Sequence, residues 1–122
     1  MAVEFAIEDR RIDAGSHVVA VTGEVDLFTA PEFKQRVNAP IASGADRVVV
    51  DLTDTTFIDS SSLGVLIGAH RRLTSRGGRL AVVCTGDAIV KTFRITGLDG
   101  VFAIARTVEE ALAAEDPGAE AA

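Results

Sequence analysis

The stretch from Val48 to Cys84, VVVDLTDTTFIDSSSLGVLIGAHRRLTSRGGRLAVVC, decides the fold. Val48-Val49-Val50-Asp51-Leu52 is apolar but for one acid, the pattern of a parallel strand covered on both faces. Ser61 to Arg76 reads as a helix stopped by Gly77-Gly78, and Leu80 to Cys84 as another buried strand. Asp87 to Thr96 is then a short helix with Ile89, Val90 and Phe93 inward and Gly97 just past its end. Val101 to Ile104 is a last strand, and Thr107-Val108-Glu109-Glu110 opens a final short helix with capping-box spacing. Strand, helix, strand, helix and strand in succession imply parallel neighbours joined by right-handed crossovers.

Upstream, Val3 to Ile12 is strand-like, with Phe5 and Ile7 on one face. Asp13-Ala14-Gly15-Ser16 is rich in turn formers and joins it to the strand His17 to Val21, a hairpin that adds one antiparallel strand. Gly23-Glu24-Val25-Asp26 is expected to end that second strand in a loop. Thr29-Ala30-Pro31-Glu32 has the spacing of a capping box with proline in the first turn. Phe33, Val37 and Ile41 follow at helical spacing, and Pro40 is expected to kink or shorten their helix. The reading is one α/β domain over residues 1–114, with a mixed, mostly parallel sheet, an antiparallel N-terminal strand and about four α-helices. Glu115 to Ala122 contains Pro117-Gly118 and no periodicity, and is expected to be a flexible tail.

Composition narrows the function. A chain of 122 residues suits one domain, and 12 basic against 18 acidic side chains leave a net charge of −6, which opposes binding to nucleic acid phosphates. Without Trp or Tyr the chain also lacks the usual platforms for stacking bases. One cysteine excludes an internal disulfide framework and a cysteine-cluster metal site, and Cys84, in an apolar run, reads as a buried, inert thiol. Two histidines far apart suggest no metal centre, and neither a phosphate-cradling glycine loop nor a dinucleotide fingerprint occurs. No cofactor and no small-molecule substrate are therefore expected. Glu4, Glu8 and Asp9 interrupt the early apolar stretches, so no secretory signal is expected, and no run approaches the roughly 20 apolar residues that span a bilayer. A cytoplasmic protein without membrane partners follows as the expectation.

Sites in open α/β sheets gather beyond the carboxyl ends of the strands. Two such ends stand out: Gly23–Asp26, and the hydroxyl-dense run from Thr53 to Gly64, read as a loop leading into a helix. A serine just before a helix ordinarily caps it, which accounts for Ser60 but not for three serines in succession. Phosphorylation there would add about −1.5 to −2 charges at a helix N-terminus, where anions are favoured. On physics alone the cap and switch readings stand level. In the helix, Leu63, Val65, Leu66, Ile67, Ala69 and Leu73 fill one apolar arc, with His70 inside it as a partly buried, hydrogen-bonded packing residue. Gly64 and Gly68 lie on another side, each costing roughly 1 kcal/mol against alanine. Tight helix packing is the reading for Gly68, and a flat strip for a docking partner the reading for Gly64.

The segment from Asp51-Leu52 through Phe57-Ile58-Asp59-Ser60-Ser61-Ser62-Leu63-Gly64-Val65-Leu66 closely resembles the phosphorylation-site region of anti-sigma factor antagonists, bacterial members of the STAS domain family. Gly23-Glu24-Val25-Asp26 matches the family's other signature, and Gly77-Gly78 and Phe93 to Leu98 fall in family order, so the resemblance spans roughly residues 3 to 114. It implies partner switching. The unphosphorylated antagonist binds an anti-sigma factor that is also a serine kinase, and so frees the sigma factor. Phosphorylation of the serine after the aspartate, here Ser60 ahead of Ser61, ends the contact, and a metal-dependent serine phosphatase restores it. The partner-binding surface so implied comprises Gly23, Glu24, Asp26, Asp59, Ser60, Ser61, Ser62, Leu63 and Gly64. Family members commonly have glycine where this chain has Ser62, a departure that bears on kinase fit.

Two rivals are set beside this reading. A STAS domain can instead serve as a scaffold or accessory subunit in a stress-signalling complex or a lipid-transport system. A serine hydrolase would use Ser60 as nucleophile, His70 as base and Asp59 or Asp54 as orienting acid. His70 lies ten residues past Ser60, about 15 Å along a continuous helix, and no Gly-x-Ser-x-Gly elbow occurs. The expectation is a regulator with no catalytic residues.

Overall fold

The computed structural model describes residues 4–117. Five strands form one sheet in the order β1 (Ala6–Arg11), β2 (Ser16–Val25), β3 (Arg47–Ile58), β4 (Arg79–Val83) and β5 (Ala103–Ala105). β1 runs antiparallel to β2 and every other pair is parallel, as the strand and helix alternation requires. The helices are α1 (Ala30–Ala42), α2 (Ser60–Thr74), α3 (Asp87–Ile95) and α4 (Val108–Ala113).

The valine run of β3 shows why the sheet is covered on both sides. Val48, Val50 and Leu52 join Phe33 and Val37 of α1, Leu66 and Leu73 of α2 and Phe93 of α3 in the larger core. Val49 points the other way, into a smaller cluster with Val18, Ala81, Val83 and Ala111 of α4. Alternation of side chains along a strand thus places apolar groups in two layers. Helices α1, α2 and α3 cover one face, and the short α4 covers part of the other.

Several local expectations are corrected. β1 is shorter than Val3 to Ile12, and Val3 itself lies outside the described residues, as do the tail residues 118–122. β2 continues to Val25, so Gly23–Val25 are strand rather than loop. β3 likewise runs on through Thr53–Ile58 as strand, in place of the loop expected from sequence. The register explains the misreading. Ala20 pairs with Asp51 but Thr22 with Asp54, and Gly23 pairs with Thr55 but Glu24 with Phe57, so β3 carries an extra residue at each of two bulges. Burial there falls on Leu52, Thr55 and Ile58, every third residue instead of every second.

Helix α1 passes through Pro40 for two more residues, with the buried proline in its last turn. The capping box at its start does not form: Thr29 makes no side-chain cap bond. The second box does cap, since Thr107 Oγ1 accepts from the Glu110 N–H at 3.1 Å. β5 begins at Ala103, two residues later than expected, because Leu98–Gly100 forms a 3-10 turn first. Gly97 stands at φ +76°, the left-handed conformation expected of a residue just past a helix end.

Candidate functional site

β2 and β3 end side by side, with Val25 opposite Ile58, and an aspartate follows each. Each aspartate ties down the chain that leaves its strand. Asp26 Oδ1 accepts the N–H groups of Phe28 at 2.9 Å and Thr29 at 3.1 Å. Thr29 Oγ1 accepts the Asp26 N–H at 2.9 Å and donates to the Glu24 carbonyl at 3.0 Å. That engagement is why Thr29 is lost as a helix cap. Behind this turn Gly23 holds φ +92° at the second bulge, a conformation that favours glycine.

Asp59 is the N-cap of α2, and this corrects the cap reading of Ser60. Asp59 Oδ1 accepts the Ser62 N–H at 3.2 Å and the Ser62 hydroxyl at 3.1 Å. The same hydroxyl also approaches the Val25 carbonyl at 3.1 Å, so its single proton is shared between two acceptors. The Asp59 N–H donates to Val25 O at 3.3 Å. Burial disfavours the ionised form of Asp59, but the hydrogen bonds from Ser62, backbone and side chain, together with those from Ser61, outweigh it. They hold the carboxyl below its ordinary 3.8.

The three serines therefore have separate fates. Ser62 is 0% exposed and joins the end of β2 to the start of α2, so it is removed from the surface on which the partner-binding residues were expected. Ser60 and Ser61 are exposed in the first turn of α2, and among the described residues the Ser60 hydroxyl has no hydrogen-bond partner. Glu24 is exposed and Asp26 and Asp59 are half-buried, whereas Gly23 and Leu63 are buried and present little beyond backbone and edge. Gly64 is exposed.

A groove of about 350 Å³ runs between α1 and α2, lined by Lys34, Asn38, Ser61, Gly64, Gly68 and Arg72 among others. A Cβ built on Gly64 or Gly68 would meet nothing within 4 Å, which overturns the tight-packing reading of Gly68. His70 packs edge-on against Phe102 with ring centroids 5.7 Å apart, but its buried Nδ1 has no hydrogen-bond partner among the described residues, contrary to expectation. α2 runs unbroken from Ser60 to Thr74, so Ser60 and His70 are not brought together. His17 instead contacts Asp9 at 3.0 Å. Cys84 is 2% exposed, and desolvation pushes its thiol up to about 11. Among the described residues no cluster of three or more His, Cys, Asp or Glu converges to hold a metal, and no helix is long and apolar enough to cross a membrane.

Three features of this region were missed from sequence. Thr29 acts as a brace, for which the Asp-x-x-Thr spacing was the available signal. Thr55 Oγ1 donates to the Val21 carbonyl at 2.9 Å between the two bulges, and the threefold spacing of Leu52, Thr55 and Ile58 was its signal. Leu27 and Phe28 stand 69% and 90% exposed on the Asp26 turn.

The fold and site define a small α/β domain with two strand-end aspartates and a displayed serine at a helix entrance. The STAS domain family matches residues 8–111, and the chain belongs to that family, among the anti-sigma factor antagonists. It is 31% identical over 105 residues to the anti-sigma-B factor antagonist of Listeria monocytogenes, covering 85% of this chain and 90% of the relative. The crystal structure of an anti-sigma factor antagonist from Mycobacterium paratuberculosis superposes with a TM-score of 0.78 at 32% identity, covering 92% of each chain. The phosphorylated form of the Bacillus cell fate determinant SpoIIAA superposes with a TM-score of 0.69 over 88% of this chain and 97% of that one. At 22% identity that last likeness concerns the fold alone.

Proposed function

We propose that the unphosphorylated chain binds an anti-sigma factor that is also a serine kinase, releases the sigma factor, and is switched off by phosphorylation of Ser60. The observation that carries this reading is the sorting of the serine triplet. Ser62 is buried and bonded, while Ser60 is exposed, directly follows the capping aspartate and has an unengaged hydroxyl. A kinase can reach it without unfolding the chain. Asp59 already satisfies the Ser62 N–H, so α2 does not need the Ser60 oxygen and tolerates its modification.

The switch follows from desolvation. A neutral hydroxyl enters an interface at modest cost when it finds a hydrogen bond, whereas a phosphate buried against Asp59 and a nucleotide-binding partner does not. A hundredfold weakening needs only about 2.7 kcal/mol, within the range of one added dianion. Use of ATP by the kinase places the reaction in the cytoplasm, and a metal-dependent serine phosphatase would reset the site.

The test incubates the chain with candidate anti-sigma factor kinases and ATP and maps phosphate by peptide mass spectrometry. Phosphate is expected on Ser60, lost in Ser60→Ala, with Ser60→Asp binding the kinase at least about a hundredfold more weakly. Phosphate absent from Ser60, or a Ser60→Asp chain that binds as tightly as the parent, overturns the reading.

A further inference from the structure

Phe28 is the most exposed large apolar side chain among the described residues, at 90%, and Leu27 beside it is 69% exposed. Both sit on a turn that the protein holds firmly. Asp26 Oδ1 accepts two backbone N–H groups across it, Thr29 Oγ1 is bonded on both sides, and the Ala30 N–H donates to the Asp26 carbonyl at 2.8 Å. A loosely held loop could fold such side chains against the core. This one presents them outward at fixed positions, so little conformational freedom remains to be lost on binding. The turn leaves β2 directly after Val25, whose carbonyl accepts from both Asp59 and Ser62, so it adjoins the start of α2 where Ser60 stands. Phe57, 47% exposed, pairs with Glu24 on the last rungs of the same two strands.

The charges nearest this patch are mainly acidic. Lys34 lies in the adjoining groove with Ser61, but Glu24, Asp26 and Asp59 occupy the turn and the two strand ends themselves. A second copy of the chain would bring the same acids against them, which opposes self-association. The surface fits a partner with an apolar socket flanked by basic side chains.

We infer that Leu27 and Phe28 form an apolar anchor that inserts into a basic-flanked socket on the anti-sigma factor, supplying affinity while Ser60 supplies the switch. This rests on the reading of Ser60 above. Large aromatic side chains that become fully desolvated at an interface centre carry a disproportionate share of binding energy. Neither side chain is needed by the monomer, since both project into solvent.

The experiment uses the full chain and the purified kinase that phosphorylates it at Ser60 in the assay above. Dissociation constants are measured by calorimetry for the parent, Phe28→Ala, Leu27→Ala and Ile95→Ser. Ile95, 72% exposed at the end of α3, controls for loss of any exposed apolar group. Phe28→Ala is expected to weaken binding about tenfold or more. Leu27→Ala should weaken it less, Ile95→Ser not at all, and all variants should melt with the parent. Phosphate in Phe28→Ala should still fall on Ser60, at a raised KM for the chain. If the parent binds and is modified at Ser60 while Phe28→Ala binds equally well, the anchor is wrong and the switch survives. If sedimentation shows a parent dimer that Phe28→Ala dissolves, the patch is a self-contact and the anchor is again overturned. A parent that no kinase modifies removes the switch reading, and the anchor with it.

Discussion

Replacing Ser62 by alanine removes one hydroxyl from a site with no solvent access. Its proton is shared between the Val25 carbonyl and the Asp59 carboxylate, both at 3.1 Å. Neither acceptor is orphaned by the change. Val25 O keeps the Asp59 N–H, and Asp59 Oδ1 keeps the Ser62 N–H. The loss is then one hydrogen bond with partial charge assistance, about 1.5 kcal/mol, offset by about 0.5 kcal/mol from the better helix propensity of alanine. The net cost is about 1 kcal/mol. Glycine, the residue common in the family, loses the same bond without that offset and adds backbone freedom, for about 2 kcal/mol in all. With a urea slope of about 1.5 kcal/mol/M, the midpoint should fall by about 0.7 M for Ser62→Ala and about 1.3 M for Ser62→Gly, with the slope unchanged. An alanine variant as stable as the parent, or a glycine variant more stable than the alanine one, would refute the bridging role of this hydroxyl.

Other measurements probe separate parts of the account. Asp59 titrates below 3.8 when folded, so the unfolded chain binds its proton first as acid is added. Its contribution is complete above about pH 4 and disappears as pH falls through the lower folded value. The stability gap between the parent and Asp59→Asn in urea should therefore close in that window, and a gap that widens with acid contradicts the cap. Gly64→Ala and Gly68→Ala place a methyl in open space and should each raise stability by up to about 1 kcal/mol in the same titration. A loss would expose a clash at the helix face. Cys84, buried and with its thiol pushed up to about 11, should react with an aromatic disulfide reagent at pH 8 only as fast as urea opens the chain. Rapid labelling of the native protein would show that β4 frays.

The parallel sheet was legible because its signals are local. Val48 to Val50 and Leu80 to Cys84 are apolar on successive residues, which a strand tolerates only when both faces are covered. Gly97 ended α3 where only a left-handed residue fits easily. The motif around Asp59 and Ser60 likewise stood in consecutive residues and needed no partner strand to be noticed.

What escaped was whatever depended on a second segment. The bulges of β3 exist only against β2, and they turn a twofold burial rhythm into a threefold one that reads as loop. Thr29 has the right spacing to cap α1, but the Glu24 carbonyl and the Asp26 N–H engage its hydroxyl instead. The same competition separated three chemically identical serines. One is turned inward to a carbonyl 37 residues away in the chain, and the two before it are left in solvent. A residue's type states which bonds it can form. Which it does form depends on the groups that folding brings within about 3 Å, and those are chosen by the packing of the whole chain.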